Sequence, residues 1–130
     1  MRRSRGRVAF AVVFALLALN AGAQVVLALL HRSDDPSALT TLQALVSVTA
    51  AAAAWGSWTV ARWAPGAALL YGLVTAAMLV SLEPMLDLPA EARVGLWTGG
   101  ATVLLFGLWA AWYLRRDLAR RAPPERAPSA

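Results

Sequence analysis

Residues 8–30 form an apolar run in which Asn20 and Gln24 are the only strongly polar side chains. As a helix, these residues reach about 34 Å at ~1.5 Å per residue. The hydrocarbon core of a bilayer is about 30 Å thick. Backbone inside that core must pair its own N–H and C=O groups, which restricts a spanning segment to a helix or a strand of a closed barrel. Three further apolar runs follow at 39–61, 67–82 and 94–114. The chain is 59% hydrophobic and only 15% charged, against about a quarter charged in soluble domains. So few charges, placed outside the runs, cannot cover four apolar segments in water. The expected fold is all-α: a polytopic four-transmembrane-helix bundle with short loops, one domain over residues 1–121, and a disordered Pro-rich tail over 122–130.

Local signals set the expected boundaries. Asp35-Pro36 pairs an N-cap acceptor with proline at a first helical position. Ala64-Pro65-Gly66 reads as a tight turn between the second and third spans, which must then form an antiparallel hairpin. Glu83-Pro84 ends the third span, and Pro89-Ala90-Glu91 opens the fourth with an acid near the positive end of the helix dipole. An Arg-rich start followed by Ala21-Gly22-Ala23 also fits a cleaved signal peptide, with a mature N-terminus at Gln24. The apolar run continues without a break to Leu30, which favours a retained first span.

The twelve basic residues are all arginine, and their distribution sets the expected orientation. Arg2, Arg3, Arg5, Arg7, Arg62, Arg115, Arg116, Arg120, Arg121 and Arg126 fall on one side of the predicted bundle; only Arg32 and Arg93 fall on the other. The arginine-rich side is predicted to be cytoplasmic, placing both termini inside the inner (cytoplasmic) membrane of a bacterium. Trp55, Trp58, Trp63, Trp109, Trp112 and Tyr113 gather near the same side, and Trp97 near the other, as an interfacial belt would. Arginines that flank apolar spans are topology signals, and no nucleic acid is expected as a partner.

Candidate chemistry is sparse. The chain has no cysteine and a single histidine, His31, which excludes thiolate chemistry and multi-histidine metal sites within one copy. His31 is the one candidate ligand residue, with Met78 and Met85 as soft donors toward the same side; no metal and no cofactor are expected. Asp34, Asp35, Glu83, Asp87 and Glu91 make the outer side acidic, as solvated loop charges and helix caps do. Asn20, Gln24 and His31 share a face of the first helix, and Thr40, Gln43 and Ser47 share a face of the second. Thr98 and Thr102 offer a third polar edge on the fourth. This stripe reads either as interhelical hydrogen-bond glue or as an outward-opening polar pocket. Glue is the preferred reading, because no charge lies deep in any span and an ion or proton pathway usually needs one.

The fourth run also carries small residues on two faces, Gly95 with Gly99 and Gly100 with Gly107 and Ala111. Such faces allow close backbone approach between helices in lipid. One face is expected to pack inside the bundle and the other to meet a second protein or copy. The expected function is that of a non-catalytic accessory or assembly subunit of a larger inner-membrane complex, respiratory or photosynthetic. Its expected partners are membrane lipid and other transmembrane subunits or further copies of itself. The alternative is an oligomeric transporter or channel for a small neutral solute. Topology is testable by single-cysteine labelling. Cysteines at positions 5, 62 and 120 should react with an impermeant reagent only after the membrane is opened, and those at 35 and 87 in intact cells. Labelling at 35 solely from the inside overturns the orientation.

Overall fold

Alanine- and leucine-rich segments that enter hydrocarbon satisfy their backbone by coiling. The computed structural model of the chain describes residues 4–30, 38–84 and 87–123, and within these it has four helices and no strand. They are α1 (Arg5–Leu30), α2 (Ala38–Thr59), α3 (Ala64–Ser81) and α4 (Ala90–Arg121). Among the described residues, α1, α3 and α4 are long and apolar enough to cross a membrane. The second helix falls outside that group: Thr40, Thr41, Gln43, Ser47 and Thr49 lower the apolar character of its first half. His31, Asp34, Asp35 and Met85 lie outside the described residues, as does most of the 122–130 tail.

Short-range chemistry sets the helix ends. Ser4 Oγ accepts from the Arg7 N–H at 3.3 Å and caps α1. Helix α2 ends at Thr59, and Val60 just after it has φ of 60°. The Ala61 N–H then reaches back to the Gly56 carbonyl at 3.0 Å. This closure usually has glycine at the left-handed position, and a β-branched residue there is strained. The chain has therefore turned by Trp63, and Ala64-Pro65-Gly66 forms the first turn of α3 rather than the expected loop. Proline suits that place because an N–H at a helix start has no intrahelical partner. A Cβ on Gly56 would lie 2.9 Å from the Trp63 ring, so glycine there lets the hairpin fold down upon α2. Helix α4 runs on to Arg121, past the expected apolar end at Leu114, with Glu91 in its first turn and Arg120 and Arg121 in its last. Both placements complement the helix dipole.

Consecutive helices pack side by side, α1 on α2, α2 on α3 and α3 on α4. Aromatic rings tie α1 to the other two at the arginine-rich end. Phe10 meets Trp109 edge-on at 5.2 Å and lies 5.3 Å from Tyr113. Phe14 meets Tyr71 edge-on at 5.4 Å and lies 5.6 Å from Phe106. Gly6 gives Tyr113 room, since a Cβ there would overlap its ring. Most of the remaining core is alanine: Ala50, Ala53, Ala64, Ala68 and Ala110 are fully buried.

The closest backbone approach joins α3 to α4. A Cβ on Gly107 would stand 3.0 Å from both the Ala68 carbonyl oxygen and the Gly72 Cα, and one on Gly72 would stand 3.2 Å from the Gly107 Cα. Gly100 is buried near the Ala76 carbonyl, and Ala111 is half-buried against the core. The Gly100–Gly107–Ala111 face is thus the one turned inward. On the other face, a Cβ on Gly99 would make only an ordinary contact with Leu79, and one on Gly95 would meet open space. Gly107→Leu should therefore lower stability in detergent by about 1–3 kcal/mol, the usual cost of overpacking, or prevent folding. Gly95→Leu should melt with the unaltered protein. Equal melting temperatures for both variants would remove the Gly72–Gly107 contact from any structural role.

Candidate functional site

The polar residues singled out on α1, α2 and α4 do not converge on one chamber. Gln43 donates through Nε2 to Gln24 Oε1, joining α2 to α1. Ser47 Oγ donates to the Ala18 carbonyl at 3.0 Å, beside Gly22, where a Cβ would come within 3.3 Å of that hydroxyl. Thr40 is half-buried at the start of α2, and Asn20 is exposed on α1. Thr98 and Thr102 are exposed on α4, where the Thr102 hydroxyl donates to the Thr98 carbonyl at 2.7 Å. Thr49, Thr59 and Ser81 likewise donate to carbonyls of their own helices. In an apolar medium this is how a hydroxyl avoids a lone donor. The stripe is thus an α1–α2 seam, separate from the α4 threonines.

At the end away from the arginines, Trp97 Nε1 donates to Glu83 Oε2 at 2.8 Å, fastening the end of α3 to α4. Met78 packs half-buried against the core. Among the described residues, no three histidine or acidic side chains come together in a way that could hold a metal ion.

The most unusual polar group is one that charge counting treats only as a topology signal. Arg7 is fully buried, in the first turn of α1. Its Nε donates to the Asp117 carboxylate of α4. Nη1 and Nη2 point at the Ser57 carbonyl of α2 and the Leu114 carbonyl of α4, each at 3.5 Å. Ser57 lies in the last turn of α2, where carbonyls lack intrahelical partners. One planar guanidinium therefore gathers three helix ends, which a point-charge ammonium could not do with the same geometry. Asp117 also accepts from Arg121 Nε at 2.9 Å, one turn further along α4. The residue that could have betrayed this clamp is Asp117, the lone acid in a stretch with Arg115, Arg116, Arg120 and Arg121.

Asp117 lies beyond the apolar stretch of α4. Burial works against its ionised form, but hydrogen bonds and charge from Arg7, joined by Arg121, outweigh it and hold the carboxyl below the ordinary aspartate range. A carboxyl lowered in the folded state adds stability that is complete above its unfolded value and disappears as pH falls through the lowered folded value.

Two concave features among the described residues are apolar. A cleft of about 540 Å³ lies between α1 and α2, floored by Ala11, Ala15 and Ala18 on one side and Ala51 and Ala54 on the other. Trp55 and Trp58 form its rim. A smaller apolar cleft of about 240 Å³ lies between α1 and α4 beside Phe10, Val13 and Trp109. Comparison with known protein families, curated proteins and solved structures finds no match.

The clamp makes a direct prediction. Asp117→Asn leaves the Arg7 charge buried without its counter-ion and should cost roughly 3 kcal/mol, near the low end for a broken buried pair. Arg7→Met combined with Asp117→Leu removes both charges and should recover most of that loss. Thermal melts in detergent of the single and double variants check this. The stability that Asp117 contributes should decline as pH falls from the ordinary aspartate range through the lowered folded value, read as a falling melting temperature that the double variant lacks. A double variant no more stable than the single one would refute the clamp.

Proposed function

We propose that the chain is a non-catalytic accessory or assembly subunit of a larger complex in a bacterial inner membrane. In this reading it crosses the bilayer four times, α2 included, with both termini cytoplasmic. The observation that carries the reading is the way the polar side chains are used. Gln24, Gln43 and Ser47 are engaged between α1 and α2, the hydroxyls of Thr49 and Thr102 bond to their own helices, and the cleft between α1 and α2 is lined by apolar atoms. A helix as polar as α2 becomes tolerable in lipid when such groups are paired with neighbours. Meanwhile α4 turns Gly95, Thr98, Leu105 and Trp112 outward. That face suits a further transmembrane helix, since a small residue facing lipid gains little while one facing another helix permits close approach.

A second reading rests on Asn20 and Gln24, which stand one turn apart and exposed on α1. If copies of the chain met there, the amides would line a path for a small neutral solute. Extraction in a mild detergent followed by native electrophoresis and mass spectrometry separates the two. The accessory reading expects the chain to travel with other membrane subunits, and Gly95→Leu to release it while leaving its melting temperature unchanged. A uniform homo-oligomer that holds a solute and loses it on Asn20→Leu would replace the first reading with the second.

A further inference from the structure

The cleft between α1 and α2 covers only part of the bundle's height. Its α1 wall runs from Ala11 to Leu19, about 12 Å of helix. One leaflet contributes about 15 Å of the ~30 Å hydrocarbon core. The far end is shut where the Ser47 hydroxyl meets the Ala18 carbonyl and Gly22 lies alongside. A partner helix crossing the whole bilayer would need a groove that continues past Ser47, and the seam is closed there. An acyl chain needs only one leaflet.

The other end of the cleft is marked by charge. Trp58 sits at the rim, and the chain turns after Thr59 to the exposed Arg62; exposed Arg5 lies less than two turns before Ala11 on α1. Among the described residues, the ion pairs are those of Asp117 with Arg7 and Arg121, and neither Arg5 nor Arg62 has a carboxylate partner. Exposed Trp55 and Trp58 offer flat walls at the depth where tryptophan prefers to lie, between headgroups and hydrocarbon. We propose that this cleft is a binding site for one acyl chain of an anionic phospholipid from the leaflet at the arginine-rich end, with Arg5 and Arg62 holding the phosphate. The inference rests on the membrane reading of the helices and is independent of the accessory-subunit reading, because the purified chain alone can test it.

The chain is reconstituted into phosphatidylcholine vesicles containing a minor fraction of phosphatidylglycerol brominated on its acyl chains, and tryptophan quenching is read. Brominated phosphatidylglycerol should quench more than brominated phosphatidylcholine at the same mole fraction, and Trp55→Phe with Trp58→Phe should remove the excess. Each basic residue near an anionic surface contributes about a fivefold preference, so Arg5→Gln with Arg62→Gln should cut the selectivity by about tenfold or more. Ala15→Phe and Ala51→Phe fill the cleft from exposed positions without entering the core. With helicity and melting temperature unchanged, these two should abolish the excess quenching. Equal quenching by the two lipids overturns the proposal. So does an excess that survives both filling variants, or filling variants that leave lipid selectivity intact but disrupt a dimer seen by native mass spectrometry, since the occupant is then a protein surface.

Discussion

In hydrocarbon, two apolar helices gain almost nothing by hiding from solvent, because lipid tails are as apolar as leucine. What holds them together is contact: dispersion between atoms at close range, and the pairing of polar groups that have no water to turn to. The approach of Gly72 to Gly107 meets the first need, bringing the α3 and α4 backbones within a distance that a single added methyl would violate. The alanines that fill the rest of the core extend the same principle. Interlocking rings then fill the space at the arginine-rich end, where Phe10 and Phe14 of α1 reach α3 and α4.

The polar pairings sit at different depths. The Gln24–Gln43 and Ser47–Ala18 hydrogen bonds stitch α1 to α2 on the side away from the arginines. At the arginine-rich end, Arg7 draws the end of α2 and the extended last turns of α4 onto the start of α1. Such a buried charge is weak evidence for stability, because its desolvation offsets much of its attraction. Its geometry links three helix ends through one group: the guanidinium on α1 faces the Ser57 carbonyl of α2 and the Leu114 carbonyl and Asp117 carboxylate of α4. The extra turns of α4 beyond Leu114 carry Asp117 and Arg121, and without them Arg7 would have no counter-ion.

The open cleft follows from the same packing. Alanine on facing positions of α1 and α2 permits close contact at the core side but leaves a furrow on the outer side, with no large side chain to fill it. Ser47 closes that furrow at mid-height because its hydroxyl needs the Ala18 carbonyl. The furrow is apolar throughout, and Trp55 and Trp58 stand at its rim.

The four helices were legible in the sequence, because the apolar runs and their proline and glycine punctuation report the solvent directly and need no knowledge of neighbours. The Gly100–Gly107–Ala111 face was also visible as a candidate for close packing; which face turned inward depended on where Ala68 and Gly72 of α3 came to lie. The turn at Val60–Trp63 was misplaced onto Ala64-Pro65-Gly66, because a β-branched residue is a poor signal for a left-handed helix end and proline serves a first helical turn as readily as a loop. The polar stripe looked continuous from periodicity alone, but periodicity orders residues around one axis and says nothing of the rotation of one helix against another. That rotation separated Thr98 and Thr102 from the α1–α2 seam. Arg7 shows the same limit. Its charge could be counted from the chain, whereas its burial exists only because α2 and α4, 50 and 110 residues away in sequence, end beside it.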